Sequence, residues 1–305
     1  MISLNLRNRL HKLGIFGILI FGILSINSCY KFEGDQTVPS YFQIDKVSLN
    51  TYYPEEGSSS HNITDAWVYL DDNLIGVFEL PALVPILKKG KQNIDVRAGI
   101  KLNGISSTRV PYPYYEKIAF EEFELFEDSV VSVGNKSTTY KTGLVFGWKE
   151  DFEDSGLTLE EVSISDTVIK RTEPANNPEA FLSENSLYSG VVNITEEKPV
   201  WSSTSLSSFP ITPQGSPVVL ELDYKNDNYF NVGLLFFEFG QFVKIPLYTI
   251  NHSEEWNKIY LNLGPNITLH QQAEYYKVVI EAGLDSNKSS GTVFLDNIKL
   301  VYWPL

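Results

Sequence analysis

Val232-Gly233-Leu234-Leu235-Phe236-Phe237-Glu238-Phe239 is the run that decides the fold class. Read with a period of two, Leu235, Phe237 and Phe239 share one face, and Leu234, Phe236 and Glu238 share the other. A strand in a sandwich buries one apolar face. The first set is therefore expected in the core, with Glu238 beside Phe236 on the open side. Comparable runs follow at residues 242–250, 256–263, 276–282 and 292–303, and precede it at 189–194 and 217–224. Further upstream, residues 41–53 alternate about Phe42, Ile44, Val47 and Leu49, and strands are expected at 66–70, 74–80, 93–102, 116–126 and 137–146. β-Branched and aromatic residues, short spacing and Gly/Pro/Asn punctuation together predict an all-β protein. Asp71-Asp72-Asn73 and Lys88-Lys89-Gly90-Lys91 read as turns, since Asp and Asn bond locally to backbone and tolerate positive φ. Glu121 to Phe126 reads equally as a helical turn, being too short for its period to decide. Residues 172–184, rich in Pro, Asn and Glu, carry no periodic pattern.

The N-terminus says where the protein resides. Arg7, Arg9, His11 and Lys12 precede the 14-residue apolar segment LGIFGILIFGILSI, and no acidic residue occurs before position 29. That length suits a signal-peptide core and falls short of the ~20 residues a membrane-spanning helix needs. Ile26-Asn27-Ser28-Cys29 then resembles a lipobox, in which the Cys thiol is diacylglycerylated and the preceding peptide removed. The resemblance implies a signal peptide at 1–28, a lipidated Cys29 and a tether over 29–40. Two or three acyl chains hold a protein on a membrane without a helix. Lys31 followed by acidic residues is similar to the surface-export signal of Bacteroidota-type lipoproteins, and implies an outer-membrane, surface-facing location. Asp128-Ser129-Val130 and Asp166-Thr167-Val168 resemble the O-glycosylation acceptor of that group, with Ser129 and Thr167 as the modified residues.

Composition narrows the function classes. The chain holds 24 Lys+Arg against 38 Asp+Glu, a formal net charge of −14. Loss of residues 1–28 would remove three of the basic residues and no acidic one. Such a charge disfavours nucleic acid and anionic membrane surfaces as partners, since both need basic patches. Met1 and Cys29 are the only sulfur-bearing residues, which excludes disulfides, thiolate metal sites and Cys nucleophiles from the body of the protein.

Two resemblances bear on architecture. Val68-Tyr69-Leu70-Asp71-Asp72-Asn73-Leu74-Ile75-Gly76, followed by Gly90-Lys91-Gln92-Asn93-Ile94-Asp95-Val96, resembles PEGA and carboxypeptidase-regulatory-like modules, which are small immunoglobulin-like sandwiches without catalytic residues. Glu255-Trp256-Asn257-Lys258-Ile259-Tyr260-Leu261 and Val293-Phe294-Leu295-Asp296-Asn297-Ile298-Lys299-Leu300 resemble the inner and last strands of carbohydrate-binding-module jelly rolls, whose first and last strands are neighbours. The expected layout is an immunoglobulin-like sandwich over 41–146 and a jelly roll over 147–305.

The jelly-roll resemblance implies a structural Ca²⁺ between Glu153 and Asp296, with Asp151 or Asp154 as a further oxygen donor. Trp201, Tyr229, Phe230, Phe242, Tyr275 and Tyr276 are candidates for stacking on sugar rings, with Asn228, Asn231 and Gln241 as hydrogen-bonding partners and Phe236 and Glu238 on the face expected to be open. Against this stands a core role for the same rings. No Ser-elbow, Gly-rich phosphate loop or His-based zinc motif is present, and His61, His252 and His270 form no i, i+4 pair. A non-catalytic protein is expected. Its role is that of an accessory subunit docking on an outer-membrane protein complex, or alternatively of a surface glycan-binding lipoprotein, with a glycoside hydrolase as a remote third reading. Replacing Cys29 with Ala is expected to move the protein from the membrane to the soluble fraction. A Cys29→Ala protein still sedimenting with membranes after a carbonate wash would exclude the lipid anchor.

Overall fold

The computed structural model describes residues 38–183, 186–211 and 215–304, so Cys29 and its signal peptide lie outside the described residues. Among them, no helix is long and apolar enough to cross a membrane. Residues Ser40–Leu305 cluster as one compact unit. It is all-β, with two short helices, Tyr53–Glu56 and Gly264–Leu269, among the described residues.

The first half carries β1 (Ser40–Ile44), β2 (Lys46–Asn50), β3 (Asp65–Leu70), β4 (Asn73–Glu79), β5 (Ala82–Ile86), β6 (Gly90–Lys101), β7 (Arg109–Pro111), β8 (Ile118–Leu125), β9 (Val130–Ser132) and β10 (Asn135–Thr139). Strands β4-β3-β6-β7, with β8 also on β6, form the larger sheet, and β5-β1-β9 and β10-β2 form two smaller ones. Phe42, Ile44, Val47 and Leu49 are buried as their spacing predicts, and they share a core with Val68, Ile94 and Val96. The β3–β4 hairpin turns through Asp71 and Asp72, both at positive φ. The ambiguous 121–126 stretch lies largely in β8; Glu122 there takes a positive φ.

The second half carries β11 (Val145–Glu150), β12 (Leu159–Glu161), β13 (Lys170–Thr172), β14 (Ser189–Thr195), β15 (Val200–Ser205), β16 (Val218–Asn226), β17 (Phe230–Glu238), β18 (Gln241–Ile250), β19 (Ser253–Asn262), β20 (Tyr276–Gly283) and β21 (Ser290–Tyr302). One sheet runs β13-β14-β21-β16-β19, with β11 also on β21; the other runs β12-β15-β20-β17-β18. Between them lie Leu220, Leu222, Leu261, Leu295, Ile298 and Leu300 from the first sheet, against Trp201, Phe230, Val232, Phe236, Val278 and Ile280 from the second. First and last strands of this half do pair, β11 running antiparallel to β21.

The orientation of β17 is the reverse of the expected one. Phe230, Val232, Leu234 and Phe236 point into the core, whereas Leu235 and Phe237 face outward. Phe236 is therefore fully buried rather than displayed, and Glu238 leaves the core only where the strand ends. Two apolar faces made the choice invisible in the strand itself. The partner rings Tyr276 and Trp201, both buried on the same side, decide it. Strand β15 was not expected at all, because Ser202-Ser203-Thr204-Ser205 carries little β signal. Its small hydroxyl side chains fit a fully buried strand beside β20.

One face of the β16/β19/β21 sheet is covered by the first half. Val219, Tyr260 and Val301, outward-facing residues of the second half, belong to the first half's core. Residue 146, the expected boundary, falls within β11. Between these apolar contacts lies a buried charged layer of Glu221, Asp223, Lys258 and Lys299. Glu221 accepts hydrogen bonds from Tyr112 (2.5 Å) and Tyr140 (2.9 and 3.0 Å). Lys299 donates to the Ser58 carbonyl. Asp223 accepts from Ser60 and Asn297, each at 2.8 Å. In β21, Asn297 and Ile298 stand opposite the single Leu222 of β16, a bulge with Asn297 at φ 48.

Burial pushes the Lys299 ammonium down to about 7 from its ordinary 10.5, with Lys258 adding repulsion. Between about pH 7 and 10 the unfolded chain then binds a proton that the folded chain has released, so this group makes stability rise with pH. Above that window Tyr112, Tyr115 and Tyr140, held protonated by burial, act in the opposite direction. Urea unfolding of Lys299→Met between pH 7 and 9.5 is expected to show a smaller rise in stability than the parent. Parallel curves would contradict a depressed Lys299.

Candidate functional site

With one sheet of the second half covered, its other sheet, β12-β15-β20-β17-β18, is the one left with a free face. Alternation turns Glu160, Ser202, Thr204, Lys277, Val279, Glu281, Asn231, Leu235, Phe237, Phe242 and Lys244 to that side, where Ser202, Thr204 and Val279 are buried beneath their neighbours. Gly233 lies at the β17–β18 bulge, where a Cβ would meet the Ile245 carbonyl oxygen at 2.3 Å, so only glycine lets β18 lie this close. At one end of the face the Phe237 ring packs edge-on to Phe242 (centroids 5.1 Å) and parallel to Tyr275 (6.5 Å, 9°). Phe242 is 67% exposed and Phe239, in the following turn, 82%. Beside the rings runs a polar row. Lys244 pairs with Glu281 at 2.7 Å, Ser202 donates to the same carboxylate, and Lys277 pairs with Glu160. Thr249 donates to Asn231 at 2.6 Å. An aromatic patch next to ordered donors and acceptors can take a ligand with an apolar face and many hydroxyls.

A second concave region, of about 550 Å³, lies where residues 58–62 and segment 173–183 meet β16 and β19. Asp223, Trp256, Asn257 and Lys258 form its floor and one wall, and Phe181 stands over Trp256 (centroids 5.0 Å, 68°).

The residues singled out in the sequence scatter. Trp201 is fully buried in the sandwich core, so its ring has no face to offer a ligand. Phe230 and Tyr276 are buried with it, and Phe236 packs on His270 (4.4 Å) inside the same layer. Glu238 meets His270 Nδ1 at 3.0 Å near the helix Gly264–Leu269. Tyr229 is 45% exposed but lies over His252 at the opposite end of β17. Asn228 is buried and bonds to the Tyr229 and Gly283 carbonyls. Of the sugar-stacking candidates, the structure brings only Phe242 and Tyr275 together, with Asn231 farther along the same face. Phe237 and Lys244 were not singled out; the exposed Phe242 opposite Phe237 in the β17–β18 register was the available signal. Ser129 is half-buried and donates to the Glu127 carbonyl, and the Thr167 carbonyl accepts from Ser165.

Glu153 and Asp296 both face residues 186–188. Glu153 Oε1 accepts from the Leu187 and Tyr188 backbone N–H groups at 2.6 and 2.8 Å. Asp296 accepts from the Ser186 hydroxyl and the Asn297 N–H, and burial pushes its carboxyl well above the usual range, which favours the neutral acid. Calcium takes six to eight oxygens. Glu153 Oε1 and both Asp296 oxygens are engaged by protein donors, and among the described residues no group of three or more His, Cys, Asp or Glu is placed to hold a metal ion. Three of the four carboxylate oxygens of Glu153 and Asp296 are thus satisfied by protein donors. Chelator treatment is expected to leave the thermal unfolding midpoint unchanged; a rise on adding calcium back would restore the metal reading.

No protein-family model matches the chain, and no curated protein matches it. Among solved structures, the family 22 carbohydrate-binding and catalytic modules of Clostridium thermocellum xylanase 10B, complexed with xylohexaose, are similar over 51% of this chain at 13% identity and a TM-score of 0.37. The enzymatically active domain of tailspike protein 4 of bacteriophage CBA120 is similar over 56% at 13% identity and a TM-score of 0.37. This chain spans 28% and 26% of the length of those two. A family 11 carbohydrate-binding module from Clostridium thermocellum, complexed with a β-1,3-1,4-mixed-linked tetrasaccharide, is covered over 95% of its length, with 51% of this chain, 15% identity and a TM-score of 0.35.

Proposed function

We propose that the protein is a non-catalytic, lipid-anchored glycan-binding protein of the outer membrane, and that the free face of the β12-β15-β20-β17-β18 sheet takes the glycan. The observation that carries this reading is the cluster of Phe237, Phe242 and Tyr275 set beside the Lys244–Glu281 and Lys277–Glu160 pairs. A sugar ring has an apolar C–H face for the aromatic rings and equatorial hydroxyls for the charged row. An open face crossed by several strands suits an extended oligosaccharide better than a small enclosed molecule. The net charge of −14 favours neutral over polyanionic chains. Lipidation at Cys29 would hold this face at the envelope, where such chains are met.

A second reading, docking on an outer-membrane protein complex, draws support from Phe239 and Phe242. Both are strongly exposed, Phe239 in the β17–β18 turn and Phe242 at the start of β18, as residues at a protein contact are. A glycan-array screen followed by titration calorimetry separates the two. Neutral oligosaccharides are expected to bind saturably, and Phe242→Ala and Tyr275→Ala to weaken binding about three- to ten-fold each while the fold is kept. A stoichiometric crosslinked membrane-protein partner with no glycan hits would favour docking instead.

A further inference from the structure

The small sheet β5-β1-β9 is apolar on both of its faces. The inner face supplies Phe42, Ile44, Val84 and Ile86 to the core of the first half. Alternation turns Tyr41, Leu83, Pro85, Leu87 and Val130 to the other side, and the register sets Tyr41 between Val130 and Pro85. On that side Leu83 is 51% exposed, Leu87 66% and Val130 54%. A strand with one wet face alternates apolar and polar residues. Residues 82–87, Ala-Leu-Val-Pro-Ile-Leu, hold no polar residue at all. Apolar residues contiguous on a surface mark a contact site. β5 is an edge strand, and Pro85 has no N–H to offer an added strand, so the contact lies on the face rather than extending the sheet.

Two observations name the occupant. The first is where the chain enters this sheet. Its middle strand, β1, begins at Ser40, and the Ser40 hydroxyl donates to the Lys88 carbonyl at 3.0 Å, beside Leu87. Cys29 lies eleven residues upstream, and a chain of that length spans at most about 40 Å. An anchor at Cys29 therefore keeps the face within reach of the bilayer, where encounter is intramolecular and weak contacts suffice. The second is the rim. Lys88 pairs with Asp71 and Lys89 with Glu127, each at 2.9 Å. Paired charges of both signs beside leucines match zwitterionic headgroups over an apolar interior, and favour neither an anionic nor a cationic surface. Tyr41, an apolar ring with a polar tip, suits the same boundary. We infer that the outer face of β5-β1-β9, formed by Tyr41, Leu83, Leu87 and Val130, seats on a zwitterionic phospholipid surface to which the protein is anchored.

This inference rests on the lipid-anchor reading of Cys29, so its test supplies the anchor independently. Cys29 is the only Cys. The unacylated chain 29–305 is coupled through that thiol to a maleimide-lipid in vesicles of phosphatidylcholine and phosphatidylethanolamine. Leu83→Trp and Leu87→Trp report contact through quenching by brominated acyl chains, after subtraction of the parent's five Trp. Each is expected to lose at least about half of its added emission, as a side chain at the headgroup–acyl boundary does. Leu269→Trp, equally exposed but on the helix Gly264–Leu269 of the second half, is expected to lose none. Adding Leu87→Glu and Val130→Glu to the Leu83→Trp reporter is expected to abolish quenching without lowering the unfolding midpoint, since both side chains are exposed. No quenching at 83 and 87, equal quenching at 269, or quenching untouched by the two glutamates would each overturn the inference. So would a dimer of the uncoupled chain in sedimentation that Leu87→Glu dissociates, which would give the face to a second copy. Failure of the anchor reading shows separately, as a native protein without acyl groups on Cys29, and leaves the vesicle result standing.

Discussion

Four ionisable side chains buried between two apolar surfaces govern this molecule. Glu221, Asp223, Lys258 and Lys299 project from three adjacent strands of one sheet into a layer closed by tyrosines of the other half. Each group has left water, at a cost of several kcal/mol while charged, which mutual attraction and hydrogen bonding offset and which Lys299 also relieves by giving up its proton near pH 7. Removing one member strands its neighbours, which typically costs about 3–5 kcal/mol. The contact between the halves is therefore specific before it is strong. The apolar flanks, Val219, Tyr260 and Val301, contribute the non-specific share of the attachment.

That arrangement leaves the sandwich's two outer faces unlike. The sheet built on β16, β19 and β21 spends its outer face on the neighbouring half and on the cavity beside it. The opposite sheet keeps its face free, and there the rings of Phe237, Phe242 and Tyr275 stay partly in water although apolar area is worth roughly 25 cal/mol per Å² when buried. Exposed rings ordered against each other, beside ion pairs on the same strands, are maintained against the tendency to bury them.

Much of the fold was legible because alternation survives wherever a strand has one wet face. Residues 41–53 and the Asp71-Asp72 turn are examples, since polar positions there mark the outside. β17 failed that test because both its faces are apolar, and a one-residue choice exchanged core for surface. Phe236 accordingly reads as lying on the open face, and Trp201, on β15, reads as either a stacking or a core ring, when both are needed to fill the space between the sheets. β15 escaped notice for the opposite reason: its hydroxyl-bearing residues look like loop, yet small side chains suit a strand flanked closely on both sides. The charged layer was beyond reach of the sequence, since Glu221, Asp223, Lys258 and Lys299 look like ordinary solvated positions on alternating strands until a second surface is laid over them.

The bulge at Asn297 has a bearing on how this strand can change over time. Before it, the odd-numbered Val293 and Leu295 point into the sandwich; after it, the even-numbered Ile298 and Leu300 do. One supernumerary residue thus resets the strand's parity, and it is what allows Lys299 to reach the charged layer while Leu300 still fills the core. Were the bulge straightened with all its residues kept, every later side chain of β21 would turn to the other face, sending Lys299 among leucines and Leu300 among ions. Without Asn297, by contrast, Ile298 would still stand opposite Leu222 and Lys299 opposite Glu221. A shortening at residue 297 therefore keeps the facing of the strand and costs the Asn297–Asp223 hydrogen bond, whereas the same shortening at residue 299 would invert everything beyond it, so the strand tolerates a lost bulge more readily than a shifted one.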